Sequence, residues 1–403
     1  MKVGIIGGGA SGIVAAIVAA QNGANVTLIE HMPRIGKKML LTGSGKCNIS
    51  NVDMNLKHFH SENKAFVESI FNECPPEETL SFLRSIGLYT KVRNGYYYPY
   101  SEQASSVLDV LRFKLRDLNV NIITDLHVKE VIKCGNNFKL KTSDKDVFFD
   151  SVVLCCGSNA YKSTGSDGSG FDIGKKLGHR IVKPLSALTY INGKENFYSS
   201  IAGIRTHAGI KIFSNGEYMG METGELQITK TGISGIPVFN LSYIVSKELY
   251  KKNKVTAVID FLPDINKDEL EKELLVRKEV YSNRILEEYL SGVFHKNIGN
   301  LVLKNCGLKI NNYVKELSNK DITNICGLIK EFEICVDSCG DSDHSQVIAG
   351  GIDTREISDK LESKLVQGVF FAGEIMDVNG DCGGYNLTWA ICTGILAGRN
   401  CVI

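Results

Sequence analysis

The chain opens on an apolar run, Val3-Gly4-Ile5-Ile6, that leads directly into three glycines. Lys2–Ile6 has the length and composition of a strand, and similar β-type runs recur at Asn25–Glu30, Asn121–Thr124, Phe138–Thr142 and Ser151–Cys155. Helically patterned stretches separate them, and this alternation predicts a parallel sheet with helices on its faces across residues 1–185. The texture then changes. Ala208–Phe213 and Glu225–Thr229 are expected strands, and Asn215-Gly216 is a hairpin-turn dipeptide between β-type runs, so 186–245 reads as a small antiparallel unit. Residues 264–331 are charged, Leu-rich and helical in spacing. Asn266 with Glu269, and Ser318 with Asp321, have the three-residue offset of helix-start boxes. From Gln346 the β-type texture returns, with a strand expected at Gly368–Ala372 and a closing helix at Asn386–Gly398. The simplest architecture is one α/β domain built from both chain ends, 1–188 with 341–403. A β-rich insert, 189–262 with 332–340, and a helical cap, 263–331, would interrupt it.

Composition narrows the partners. A chain of 403 residues accommodates about two to three domains. Its 43% hydrophobic and 23% charged residues are ordinary for a globular protein with a full core. A net charge of +1 provides no field for a polyanion, so no nucleic-acid partner is expected. No run approaches the ~18 apolar residues of a membrane span, so no membrane partner is expected either. Only Met1 and Lys2 stand before the apolar run Val3-Gly4-Ile5-Ile6, which does not match a secretory leader, and the expected compartment is the cytoplasm. None of the twelve cysteines forms a C-x-x-C pair. They are expected to be free thiols packed as small hydrophobes, and no metal site is expected.

Gly7-x-Gly9-x-x-Gly12 stands between an apolar strand and an apolar helix, the context that a dinucleotide-binding turn requires. Gly7 permits the tight turn, Gly9 lets backbone N–H groups approach a pyrophosphate, and Gly12 lets the helix pack close to the sheet. Ala10 and Ser11 complete the turn at the positive end of the helix. Glu30 ends the second strand, where a carboxylate can accept both hydroxyls of an adenosine ribose and repel a 2′-phosphate. This module alone fits FAD or NAD.

A second half-site favours FAD. Leu41–Asn48 reads LTGSGKCN, with Gly43 and Gly45 allowing backbone to run against a ligand and Lys46 and Asn48 beside them. It is not a P-loop, since Leu40 stands where the first glycine belongs and Cys47 follows the lysine. Near the other end, Val369–Gly373 is a strand leading to Glu374, with Asp377 close by, an arrangement that in two-dinucleotide flavoproteins brings an acid to the ribitol chain. Gly380-Asp381-Cys382-Gly383-Gly384-Tyr385-Asn386 then opens the last helix, whose positive end would stabilise charge on a reduced flavin. Val152–Gly157 is expected to cross beneath the cofactor. Gly168-x-Gly170-x-x-x-Gly174 looks like another nucleotide loop, but no β-type run opens it. Cys47 is a candidate redox thiol, although without a second cysteine at disulfide reach a packing role is favoured. Tyr385 is a candidate proton donor or a cover for the ring.

Gly7–Gly12, Gly36–Asn51, Gly157–Pro184, Gly224–Ser242 and Ala349–Gly398 together resemble the YhiN/BaiN-like family of flavoproteins, NAD(P)/FAD-dependent oxidoreductases also described as aminoacetone-oxidase-like. LTGSGKCNISN at Leu41–Asn51 and GDCGGYNLTWA at Gly380–Ala390 are the most specific stretches. The resemblance implies a two-dinucleotide-binding-type Rossmann FAD domain with a β-barrel-like and helical insert. It implies FAD contacts at Gly7, Gly9, Gly12, Glu30, Gly45, Gly373 and Asn386, and less directly at Lys38, Asn48, Val128 and Leu387. Ile348 departs from a common Thr, which leaves no polar side chain there. The implied activity is flavin-dependent oxidoreduction of a small molecule. NAD(P)H would supply electrons, and an activated C=C, as in bile-acid intermediates, would accept hydride. The alternatives are a peroxide-producing oxidase of small amines and, from another class, an FAD-binding protein that interacts with RNA. The insert, which lacks the FAD motifs, is expected to hold substrate choice.

Overall fold

The computed structural model describes residues 1–402, which divide into two compact units. Met1–Ser186 and the segment from Ser342 onward form the first unit. Its centre is a five-stranded parallel sheet. Lys2–Ile6 lies between Asn25–Ile29 and Ser151–Leu154, Asn121–Ile123 flanks the former, and Val369–Phe371 flanks the latter. The sheet thus takes its edge strand from the far end of the chain. Its strands are apolar on both faces, as Val3, Ile5, Leu28, Val152, Val153 and Phe371 are fully buried. The helix Ala10–Gln21 is buried from Ser11 through Ala19. It packs against the closing helix, Tyr385–Asn400, through glycines. A Cβ at Gly394 would lie 2.6 Å from the Ser11 carbonyl oxygen, and one at Gly398 would lie 2.7 Å from that of Ala15. Phe138–Thr142 is a strand, but not of this sheet. It belongs to an antiparallel meander, Val128–Cys134, Asn137–Thr142 and Val147–Phe149. Cys134 pairs with Asn137, leaving only Gly135-Asn136 as the turn, and a parallel connection needs a crossover of a dozen residues or more.

The second unit, Ala187–Asp341, contains a closed six-stranded barrel of Ile191–Gly193, Gly232–Ser234, Glu217–Ile228, Arg205–Ser214, Val255–Asp260 and Phe332–Cys339. Ser214 pairs with Glu217 across Asn215-Gly216, whose φ values of 49° and 87° suit a primed hairpin turn. The helices Lys267–Val280 and Asn319–Lys330 follow the expected starts: Asn266 accepts from the Glu269 N–H, and Ser318 with Asp321 forms a reciprocal box. A third helix, Lys296–Asn305, lies between them. Leu270, Leu274, Ile322, Ile325 and Ile329 from these helices share one core with Ala208, Ile210, Ile259 and Ile334 of the barrel. The sequence reading separates barrel from helices at 263 and 331, whereas the packing joins them.

Candidate functional site

Two turns of the first unit meet around the start of the helix Ala10–Gln21. The Gly7 N–H donates to the Ile29 carbonyl and the Cys155 N–H to that of Ile6. A Cβ at Gly12 would stand 1.9 Å from the Gly7 carbonyl oxygen, and one at Gly7 would stand 2.4 Å from that of Cys155. Both glycines are therefore required by backbone contact. Gly9 is different, since a Cβ there would meet nothing within 4 Å. The helix begins with neither a side-chain cap nor an acidic residue in its first turn, so its positive end is not neutralised from within. Glu30 is buried and oriented, its Oε2 accepting from the Gly8 N–H at 2.7 Å and its Oε1 from the Met32 N–H at 2.8 Å. Each oxygen retains capacity for a further donor. The Leu126 N–H donates to the Glu30 carbonyl, and the buried Val128 follows two residues later in the chain.

The C-terminal strand reaches this turn directly. Ser11 Oγ donates to the Ala372 carbonyl at 3.3 Å, and a Cβ at Gly373, where φ is +80°, would meet Ser11 Oγ at 2.5 Å. Glu374 is not an open acid. Its Oε2 pairs with Lys38 Nζ at 2.7 Å, while its Oε1 accepts from Ser158 Oγ at 2.9 Å and the Ile348 N–H at 3.2 Å. These bonds tie four chain segments together, one of them the strand Val347–Ile352 through the Ile348 backbone, and they occupy both Lys38 and Glu374. Asp377 is buried and accepts from the Glu62 N–H at 2.9 Å. The loop Met39–Gly45 is a kinked 3-10 segment, with Gly43 and Ser44 both at φ 56°. It has no strand–loop–helix shape, in keeping with the failed P-loop spacing. Gly45 faces open space as Gly9 does, and Lys46 lies 3.9 Å from Glu102. Cys47 is fully buried, and burial pushes its thiol up to about 11, which leaves almost no thiolate for redox chemistry. The favoured packing role suits that position.

Gly157, at φ +68°, follows the strand Ser151–Leu154 and leads to Ser158 and Asn159. Gly170 and Gly174 are packing glycines: a Cβ at either would strike Cys156 at 2.6 Å or Ile352 at 2.2 Å. A short 3-10 turn, Lys162–Thr164, precedes them in place of a strand. The closing helix starts uncapped at Gly384, which has φ 94°. Asn386 pins the preceding loop, accepting from the Gly380 N–H at 2.8 Å and donating to the Gly380 carbonyl at 2.7 Å. Leu387 is buried beside it. Tyr385 is buried, and its hydroxyl donates to the Asp53 carbonyl at 3.0 Å. Sequence reasoning missed His58 and His60, which face Asp381, Asp53, which faces His58, and Ser158 and Asn159. None carries a local motif; the donor and acceptor types alone mark them.

These residues fit an extended FAD. Gly9 and Gly45 leave backbone-lined space, two helix ends present unneutralised N–H groups, and Glu30 is an oriented acceptor. The Oδ1 atoms of Asn48 and Asn159 are buried without a hydrogen-bond partner, as groups awaiting a polar ligand would be. Among the described residues no helix is long and apolar enough to cross a membrane.

Comparison with known proteins agrees with the geometry. Residues 1–400 match the model of the HI0933-like protein Rossmann domain. The chain is 38% identical to a 3-dehydro-bile acid delta(4,6)-reductase of Clostridium scindens, over 99% of this chain and 98% of that protein. It is 26% identical to a ribosomal RNA dihydrouridine synthase of Haemophilus influenzae, over 96% of this chain and 94% of that one. Among solved structures, a 3-ketosteroid delta1-dehydrogenase from Sterolibacterium denitrificans shares the fold at TM-score 0.51 and 11% identity, covering 99% of each chain. The chain belongs to the HI0933-like family of FAD-binding Rossmann proteins and is a flavin-dependent oxidoreductase.

Proposed function

We propose that this chain takes electrons from NAD(P)H and saturates a C=C conjugated to a carbonyl in a small polycyclic substrate of the 3-oxo bile-acid type. The observation that carries the acceptor side of this reading is the 38% identity, along 99% of the chain, to a protein named a 3-dehydro-bile acid delta(4,6)-reductase. The more distant dihydrouridine synthases support the reaction type, because forming dihydrouridine also saturates a C=C next to a carbonyl. A net charge of +1 favours the small molecule over RNA as acceptor.

FAD, when bound, supplies the hydride chemistry, and the protein supplies orientation and electrostatics. In this reading the backbone of Gly7, Gly9, Ala10, Ser11 and Gly12 holds the pyrophosphate and Glu30 the ribose hydroxyls, with Val128 at the adenosine end. Gly43, Gly45, Lys46, Asn48 and Gly157 line the ribitol and ring portion, together with Gly373 and the first turn at Asn386 and Leu387. Lys38, Glu374 and Asp377 act by fixing the loops.

The test is anaerobic. Protein reconstituted with FAD is mixed with NADH or NADPH, and the oxidised flavin band is followed. The reduced protein then meets a delta(4,6)-unsaturated 3-oxo bile acid, a ribosomal RNA transcript or a small amine. Bleaching by a nicotinamide and recovery with the bile acid are expected. Bleaching by the amine, with peroxide formed in air, would replace this reading with that of an oxidase. Recovery with RNA alone would make RNA the acceptor.

A further inference from the structure

An open cavity of about 390 Å³ lies in the first unit, and none of its lining residues is assigned to FAD. That volume falls in the range of small-molecule sites. One wall is the start of the helix Lys64–Glu73, where Asn63 and Phe66 bring the first turn to the cavity. The other is the segment from Thr354 to Lys364, which doubles back so that Ile357 pairs with Ser363. Just ahead of the helix, the Glu62 N–H donates to the buried Asp377 carboxylate at 2.9 Å. The Glu62 side chain pairs with Arg355 at 3.3 Å, which ties the two walls together at one edge.

The helix start is open. No side chain caps it, and its first turn holds no acidic residue. Its N–H groups and the positive end of its dipole are therefore available to an anion. Thr354 is an independent sign of a ligand. It is 1% exposed, and its Oγ1 has no hydrogen-bond partner among the described residues. A buried hydroxyl left unpaired is costly, and this one can rotate to donate. Charge then selects the ligand. Lys364 and Asp359 both line the cavity and offset each other, while Lys64 on the first turn is exposed and screened by solvent. What remains is the helix end, roughly half a positive charge, which suits a monoanion better than a dianion. Phe66 and Ile357 are buried and apolar, and they give an organic body a surface that a bare inorganic ion would not use.

We propose that this cavity binds a monoanionic organic carboxylate. The carboxylate sits at the helix start and accepts from the Thr354 hydroxyl, and the apolar body lies on Phe66 and Ile357. The proposal does not depend on the acceptor assigned above.

The test titrates FAD-loaded protein with para-fluorobenzoate, followed by fluorine NMR, and uses the neutral para-fluorobenzamide as control. The acid should bind at least about tenfold more tightly than the amide, as hydrogen bonds to a charged group require. Asn63→Asp places a carboxylate at the helix start, where it takes the same N–H groups. It should weaken binding of the acid at least about tenfold while the melting temperature holds or rises, so lost binding is not lost folding. Thr354→Val removes the unpaired hydroxyl. It should also weaken binding about tenfold, again without a lower melting temperature, because the free protein loses no bond. Equal affinity for acid and amide, or unchanged affinity for the acid in either variant, overturns the proposal. If neither probe binds, water alone fills the cavity and the proposal fails. Inorganic phosphate should displace the acid only weakly, and phosphate binding tighter than the acid's would overturn the choice of a monoanion.

Discussion

Glu30 and Glu248 show how differently two buried carboxylates can be employed. Glu30 accepts two backbone N–H groups and keeps acceptor capacity for ribose hydroxyls. A hydrogen bond to a charged group is worth about 1.5–3 kcal/mol. Glu30→Ala should therefore weaken FAD binding about ten- to hundredfold while the rate of the FAD-saturated protein changes little. Titration of apoprotein with FAD is the check, and unchanged affinity would remove Glu30 from the site. Glu248 is saturated by its own unit. Lys251, Ser214 and Asn253 all donate to it at 2.7 Å, and these bonds hold its carboxyl at about 2, below the ordinary 4.5. A depressed folded-state value means that the stabilisation is present above pH 4.5 and is lost as pH falls towards about 2. It is of order 2 kcal/mol, allowing for the exposed Lys251 partner. Urea unfolding of Glu248→Gln should show a shallower loss of stability than the unaltered protein across that window. Parallel curves would show that Glu248 contributes nothing to the acid limb.

At the scale of elements, what could be read from sequence was what is local. The turn Gly7–Gly12, the dipeptide Asn215-Gly216 and the boxes at Asn266 and Ser318 each write their geometry into a few adjacent residues, and each is found in place. Phe138–Thr142 was legible as a strand but not as antiparallel, because an apolar run does not name its neighbour; only the two-residue turn does. Glu374 reads as an open acid until Lys38 and Ser158, remote in sequence, are seen to occupy it. His58 and Asp381 are 323 residues apart and meet through a two-residue strand pair, which leaves no periodic signal. The packing of the first helix on the last is likewise long-range, and Gly394 sets it. A Cβ there faces the backbone oxygen of Ser11 at 2.6 Å, so the helices must separate to admit it. Gly394→Val should cost several kcal/mol, as overpacking at backbone does, and should lower FAD retention if both helix starts hold the cofactor as proposed. Thermal unfolding and flavin content after gel filtration are the readouts. Normal values for both would mean that the helices have slack.

At the scale of the whole molecule, the relation between barrel and helices in Ala187–Asp341 decides how the chain can be cut. Charge, leucine content and helix-start boxes set Asp264–Glu331 apart in sequence, and on that ground the segment reads as a removable cap. The packing contradicts separability. Leu270, Leu274, Ile322, Ile325 and Ile329 lie in the same core as the barrel strands. The Phe261 N–H donates to the Ile329 carbonyl at 2.9 Å, and Lys330 Nζ pairs with Asp260 Oδ2 at 2.7 Å in a largely buried setting. Burying each such side chain is worth about 1.5–3 kcal/mol. These five together match the roughly 5–15 kcal/mol that holds a domain folded. Replacing Asp264–Glu331 with a short Gly/Ser linker should therefore expose Phe261, Phe332 and Ile334 and unfold the barrel. Expected signs are aggregation on expression or, if soluble, strong binding of a hydrophobic dye and loss of near-ultraviolet dichroism. A soluble product with native-like dichroism would show that the barrel carries a core of its own. A milder probe separates packing from bulk loss: Ile325→Ala removes one fully buried side chain and should cost 2–5 kcal/mol. Because Ile325 is assigned no cofactor contact, FAD affinity should be unchanged under conditions where the variant stays folded. A parallel loss of flavin would show that the two units do not fold independently.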